Sequence, residues 1–236
     1  MNHNAPQSPA PQENKMGTMA IAPLLASMAV PMMISMLVQA LYNVVDSIFV
    51  SRINENALTA VSLAFPIQTL MIAVAGGTCV GINAVLSKAL GEKAQERADN
   101  TASNGIVLMA VSYLAFLLIG LLATRAFYLS QTSDPEIVEF GVQYLSIVCC
   151  CALGLFAQFV FERLLQSTGR TFYIMITQGT GAIINIILDP IFIFGLFGMP
   201  RMGVAGAAVA TVTGQTIAGT IALIINFRKN EDIHIR

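Results

Sequence analysis

The chain has 236 residues, 56% of them hydrophobic and only 11% charged, with a formal net charge of −1. Soluble domains carry about 25% charged residues, so this composition describes a membrane protein. No basic cluster with interleaved aromatics is present, which excludes a nucleic-acid-binding surface.

Residues 1–19 are polar, proline-containing and aperiodic, and are expected to be a disordered cytoplasmic leader. They do not form a signal peptide. Only Lys15 precedes the first apolar segment, which is too long for a cleavable core. Six apolar stretches follow, at 20–50, 57–86, 101–124, 136–161, 171–196 and 203–227. Each is long enough to cross a hydrocarbon layer of about 30 Å at about 1.5 Å per residue. The expected organisation is a leader (1–19), a six-helix transmembrane bundle (20–227) and the start of a cytoplasmic linker (228–236).

In the first stretch Ser35, Gln39, Tyr42, Asn43 and Asp46 recur at helical spacing. They share one face, which must point into the bundle or a wet cavity. Pro31 removes a backbone hydrogen bond one turn before that stripe and is expected to bend the helix. Gly91-Glu92 ends the second stretch, and Ala94–Asn100 forms a short amphipathic lead into the third. Residues 125–135 read as a polar connection, closed by Ser-Asp-Pro-Glu at 133–136. There Ser133 or Asp134 caps the fourth helix, whose first turn holds Pro135.

Cys149, Cys150 and Cys151 point three ways around the fourth helix, and with Cys79 they read as small apolar filler. Glu162 and Arg163 read as solvated or paired boundary charges. The fifth stretch carries Gln178, Gly181, Asn185 and Asp189, with Asn185 and Asp189 one turn apart. Pro190 frees the carbonyl of Ile186. The sixth opens with the small-residue run 203–211, which permits close helix approach. Thr211 and Gln215 share its side with Ala207; taken alone, Thr211 is more naturally a threonine bonded to its own helix than a ligand.

Lys and Arg counts set the orientation. Lys15, Lys88, Lys93, Arg97, Arg163, Arg170, Arg228, Lys229 and Arg236 fall on one side, and Arg52, Arg125 and Arg201 on the other. The richer side is expected to be cytoplasmic, with both termini inside and the chain multi-pass in the plasma membrane.

An ionised Asp at mid-bilayer costs roughly 2.5–3.5 kcal/mol on insertion scales. Two such acids on separate stretches, Asp46 and Asp189, suit an ion-coupled transporter that holds H⁺ or Na⁺ with Asn, Thr and Tyr nearby. No cofactor is expected beyond that coupling ion. The enzymatic alternative is an intramembrane aspartyl protease with a carboxylate dyad. The Tyr-Asp and Gly-x-Gly-Asp signatures of those enzymes are absent here, and His3 and His234 lie in the polar ends.

Several runs carry a family resemblance: Leu-Tyr-Asn-Val-Val-Asp-Ser-Ile-Phe-Val (41–50), Leu-Gln-Ser-Thr-Gly-Arg (165–170), Asn-Ile-Ile-Leu-Asp-Pro-Ile-Phe-Ile-Phe-Gly (185–195) and Gly-Val-Ala-Gly-Ala-Ala-Val-Ala-Thr (203–211). The chain resembles the prokaryotic branch of the MATE (multidrug and toxic compound extrusion) transporters over residues 16–236. The resemblance implies an all-α six-helix N-lobe of a twelve-helix antiporter, driven by Na⁺ or H⁺ and exporting small amphiphilic or cationic molecules across the bilayer. It implies a cation site at Asp46, Asn185, Asp189 and Thr211, with the Ala207 carbonyl. Gln39, Tyr42, Asn43 and Gln178 would line the cavity, and Pro31 would be the bend. It also implies that a C-lobe, or a second copy in its place, is needed to complete the transporter. A related lipid-linked oligosaccharide flippase is the nearest alternative, although no basic residue lies mid-span to hold a pyrophosphate.

Overall fold

In lipid every backbone polar group must be satisfied within the segment, so apolar stretches of this length fold as helices. The computed structural model describes residues 18–230 and 232–233, and among them there is no strand. The leader expected over 1–19 lies outside the described residues up to position 17, as do His3, Lys15, His234 and Arg236. Helix α1 spans Ile21–Ser51, α2 Glu55–Gly91, α3 Gln95–Leu122 and α4 Thr124–Gln131. These are followed by α5 Pro135–Cys150, α6 Leu153–Ser167, α7 Thr171–Phe194, a 3-10 turn at Leu196–Gly198, and α8 Val204–Lys229. Helices α1, α2, α3, α7 and α8 are each long and apolar enough to cross a membrane; α5 and α6 qualify together as one crossing bent by 43°. The result is an all-α membrane bundle.

Two features differ from the sequence expectation. The fourth apolar stretch is not one helix over 136–161 but breaks at Cys151–Ala152. No proline marks the break. The Cys150 carbonyl accepts instead from the Tyr113 hydroxyl at 2.9 Å, so the interrupted ladder is satisfied from α3. The bend turns α6 toward α8, and Gly154 allows the approach: a Cβ there would sit 2.7 Å from Thr216 Cα. The second difference is α4, which forms inside the stretch expected to be a polar connection. It is anchored by Tyr128, which is fully buried and donates its hydroxyl to the Ala60 carbonyl at 2.7 Å.

The connections sort to two ends of the bundle. At one end Arg170, after α6, pairs with Asp232 at 3.5 Å, and Gln95 Nε2 donates to the Asp232 carbonyl at 3.0 Å. The α2–α3 turn, the α6–α7 turn and the segment after α8 therefore lie together, as the lysine and arginine count groups them. At the other end Asn54 and Asn56 donate to Glu136 at 3.1 and 2.5 Å. Asp134 supplies the α5 cap, accepting from the Glu136 N–H at 2.9 Å.

Helix α8 is the spine, packed on α7, α6 and α5, while α1 rests mainly on α7. Without a hydrophobic driving force between helices in lipid, close approach depends on small residues. The α7–α8 seam uses Gly181, Gly206 and Gly214: a Cβ on Gly206 would lie 2.6 Å from the Phe192 carbonyl oxygen, and one on Gly214 would lie 2.7 Å from that of Gly181. Asn226 extends the contact to α6 by donating to the Phe161 carbonyl at 2.8 Å. After α7, Gly195 turns the chain with φ +74°, and Met202 N–H returns to the Phe192 carbonyl at 2.9 Å.

Gly206→Leu is expected to lower stability by about 1–3 kcal/mol through overpacking. Gly179→Ala, where an added Cβ meets nothing within 4 Å, should cost nothing. Thermal unfolding of the two variants in detergent checks the contrast.

Candidate functional site

The seam that glycine closes brings polar groups from α7 and α8 face to face. Asn185 and Asp189, one turn apart on α7, are 3% and 0% exposed. Thr211, near the start of α8, is buried opposite them. The Asn185 amide satisfies both its ends when its nitrogen donates to Asp189 Oδ2 at 3.2 Å and its oxygen accepts from Thr211 Oγ1 at 3.2 Å. Thr211 thus uses its hydroxyl across the seam rather than on its own helix. Ala207 lies one turn before Thr211, fully buried in the same seam.

Asp46 reaches this cluster from α1. It is half-buried, its Oδ1 is shielded from solvent, and no hydrogen-bond donor meets that atom. Asp189 lies within electrostatic range of it, and Tyr42 feels both acids. Of the sequence-derived set, Asn185, Asp189 and Thr211 are therefore brought together by α7 and α8, and Asp46 borders a cavity that Thr211 also lines. All its donors to a bound ion would be oxygens, and among the described residues no three His, Cys, Asp or Glu side chains converge. Such a set fits a hard monovalent cation or a proton, not a thiolate- or imidazole-seeking metal.

Two cavities flank the cluster. The inner one, about 260 Å³, is lined by Gln39 and Tyr42 of α1, Gln178 and Asn185 of α7, and Thr211 of α8. The second, about 550 Å³, is bordered by Asp46 and Asn43 and shares Gln39, Tyr42 and Thr211 with the first. Gln39 and Tyr42 therefore stand in the wall between the two spaces. Asn43 is exposed and borders only the second. Pro31 sits half-buried in α1, and the helix continues through it without a break. Its carbonyl takes the Ser35 hydroxyl at 2.9 Å.

Glu162 overturns its reading as a boundary charge. It is 5% exposed and lines the inner cavity. Gln158 Nε2, Thr177 Oγ1 and Gln178 Nε2 donate to its carboxylate at 3.0, 2.8 and 2.8 Å. The physical reason is helix length: α6 runs to Ser167, which places Glu162 more than a turn inside the helix. The apolar pair Leu164-Leu165 after Glu162 is the sequence signal for that extension. The Gln158–Glu162 spacing of four is the signal for a polar face.

Together these features define a polytopic helical membrane protein built around buried acids beside a polar cavity. The MatE family model matches residues 31–191, and the chain belongs to that family. It is 27% identical over 215 residues to a probable multidrug resistance protein NorM of Thermotoga maritima, covering 88% of this chain and 45% of that protein. It is 30% identical over 206 residues to the multidrug export protein MepA of Staphylococcus haemolyticus, covering 87% of this chain and 45% of that protein. Crystal structures of MATE in bent and straight conformations superpose with TM-scores of 0.82 and 0.83, at 30% identity, over 90% of this chain and 47% of those. The chain spans about half the length of the curated relatives it matches.

A double-mutant cycle of Asn185→Leu and Thr211→Val should give a coupling of about 0.6 kcal/mol and no more than about 1.7, the range for hydrogen bonds between membrane helices. Unfolding in mixed micelles measures it; additive effects would mean that the seam contact contributes nothing.

Proposed function

We propose that the chain forms one lobe of a secondary transporter that expels amphiphilic, often cationic, small molecules in exchange for Na⁺ or H⁺. The observation that carries this reading is Asp46 Oδ1, buried without a hydrogen-bond donor beside a second buried acid. A buried carboxylate without donors is stabilised by whatever cation can reach it. Asp46 and Asp189 supply the charge; Asn185 and Thr211 supply neutral oxygens, and the Ala207 carbonyl completes the set for Na⁺. With H⁺ as coupling ion the two carboxylates share the role and the neutral oxygens orient them.

The exchange follows from which helix carries which ligand. Asp46 belongs to α1, whereas its partners belong to the rigid α7–α8 pair. Helix α1 packs extensively on α7 but touches α2 and α8 only lightly, so a cation at the cluster draws in an element that can move. Pro31 removes one ladder bond at the point where that movement is absorbed. Drawing in or bending α1 shifts Gln39 and Tyr42, which wall the inner cavity, and reduces the room for substrate. Cation binding and substrate release are thereby coupled through one helix. Relatives described as multidrug resistance and multidrug export proteins support the substrate class.

The same reading places the chain in the plasma membrane with both termini cytoplasmic. A second six-helix lobe, on the same polypeptide or supplied by another copy, would face α1. The flippase alternative calls for several basic side chains around a pyrophosphate, and among the described residues Arg163 is the one basic side chain lining the inner cavity.

Asp46→Asn and Asp189→Asn are each expected to reduce ion-gradient-driven drug transport in everted vesicles to background, with membrane insertion unchanged. Both should also lose saturable ²²Na⁺ binding by the purified chain if Na⁺ is the coupling ion. Wild-type rates in both variants would remove the acidic pair from the coupling mechanism.

A further inference from the structure

Within a membrane a helix can break only where other groups take over its backbone bonds. The break between α5 and α6 is met from one face of α3, which carries Tyr113, Phe116 and Gly120 at helical spacing. In an unbroken helix the Cys150 carbonyl would accept from the N–H of Gly154, four residues on. It accepts instead from the Tyr113 hydroxyl at 2.9 Å. Gly120 lets α3 reach the end of α5: a Cβ there would sit 2.7 Å from that of Cys149. Phe116 holds the start of α6, its ring centroid 5.8 Å from that of Phe156 and both side chains buried. One face of α3 therefore splints the two halves of a bent span.

Beyond the break, α6 carries Leu155, Gln158, Phe159 and Glu162 into the wall of the inner cavity. Its first turn sits against α8, where a Cβ on Gly219 would lie 3.0 Å from the Gln158 nitrogen. The angle at which α6 leaves the break thus fixes how far this wall stands from α1 and α7. Tyr113 and Phe116 stand outside the walls of both cavities. The Cys150 carbonyl has two alternative donors, Tyr113 in a bent span and Gly154 in a straight one. Exchanging one for the other keeps that carbonyl satisfied, so bent and straight forms compete, and straightening leaves the Tyr113 hydroxyl stranded.

We propose that Tyr113 is the positioning residue of a hinge at Cys151–Ala152: its hydroxyl holds the α5–α6 bend and thereby sets the width of the inner cavity. Phe116 is the second hold on the same hinge. The consequence for substrate size rests on the export reading above; the hinge itself does not.

The hinge is read from the distance between ketoxime spin labels on p-acetylphenylalanine at Glu139 of α5 and Phe172 at the start of α7, both exposed. That chemistry leaves the four native cysteines in place. In Tyr113→Phe the Cys150 carbonyl is released to the Gly154 N–H. The mean distance should then lengthen by about 3 Å or more, because α6 is an arm about 22 Å long. Size-exclusion profiles establish folding; if Tyr113→Phe does not fold, Phe116→Leu takes its place with the same expected lengthening. The cavity is read by equilibrium binding, without an ion gradient, of two monocations, ethidium and the bulkier rhodamine 6G. Tyr113→Phe should shift the ratio of their dissociation constants severalfold in favour of rhodamine 6G, whereas general damage weakens both alike. An unchanged distance overturns the hinge, whatever the probes do. A longer distance with an unchanged probe ratio overturns its role in setting the cavity. Wild type that binds neither probe counts against the export reading instead, and the distance then decides the hinge by itself.

Discussion

The closeness of α7 and α8 is the constraint on which the rest of this molecule depends. Asp189 has no exposed surface, and its one side-chain donor, the Asn185 amide, is held from across the seam by the Thr211 hydroxyl. They are within reach only because Gly181, Gly206 and Gly214 let two backbones meet where any side chain would collide. Small residues here set polar geometry as well as packing. Lengthening the seam by even the width of a methyl group would separate Thr211 from Asn185, and Asn185 would lose its partner on the far side.

Against that pair, α1 is the least buried of the spanning helices. Its outward side is apolar and exposed, at Leu37, Leu41, Val44 and Ile48 among others, and its main contact is with α7. Its polar stripe faces inward, with Gln39 and Tyr42 dividing the two cavities and Asp46 at the end nearest the acid of α7. One helix therefore carries an acid and a cavity wall a turn apart. Any event that repositions that acid repositions the wall, with no intervening chain of contacts required.

Lipid makes much of this legible in the sequence, because apolar stretches have one backbone solution and buried acids need company. The three- and four-residue spacing of Gln39, Tyr42 and Asp46, and of Asn185 and Asp189, leads directly to the observed cluster. What stays hidden is whatever depends on contacts between distant segments. The break at Cys151–Ala152 has no proline to announce it; Tyr113 and Gly154 decide it, through α3 and α8. Helix α4 forms in a polar stretch because Tyr128 finds the Ala60 carbonyl 68 residues away. Glu162 looks like a boundary charge because two of its three donors come from α7, fifteen and sixteen residues later.

Magnitudes separate the buried acids into two kinds. Insertion of an ionised acid at the helix centre costs roughly 2.5–3.5 kcal/mol, and a hydrogen bond between membrane helices returns about 0.6 and at most about 1.7 kcal/mol. Of the three donors at Glu162, the two from α7 return about 1–3 kcal/mol, of the same order as the insertion cost. Asp189 has one side-chain donor, Asn185, and Asp46 Oδ1 has none, so at those positions the cost is not met by the protein. The donor count at each carboxylate thus separates Glu162, met by three side chains, from the two acids that the protein leaves under-satisfied.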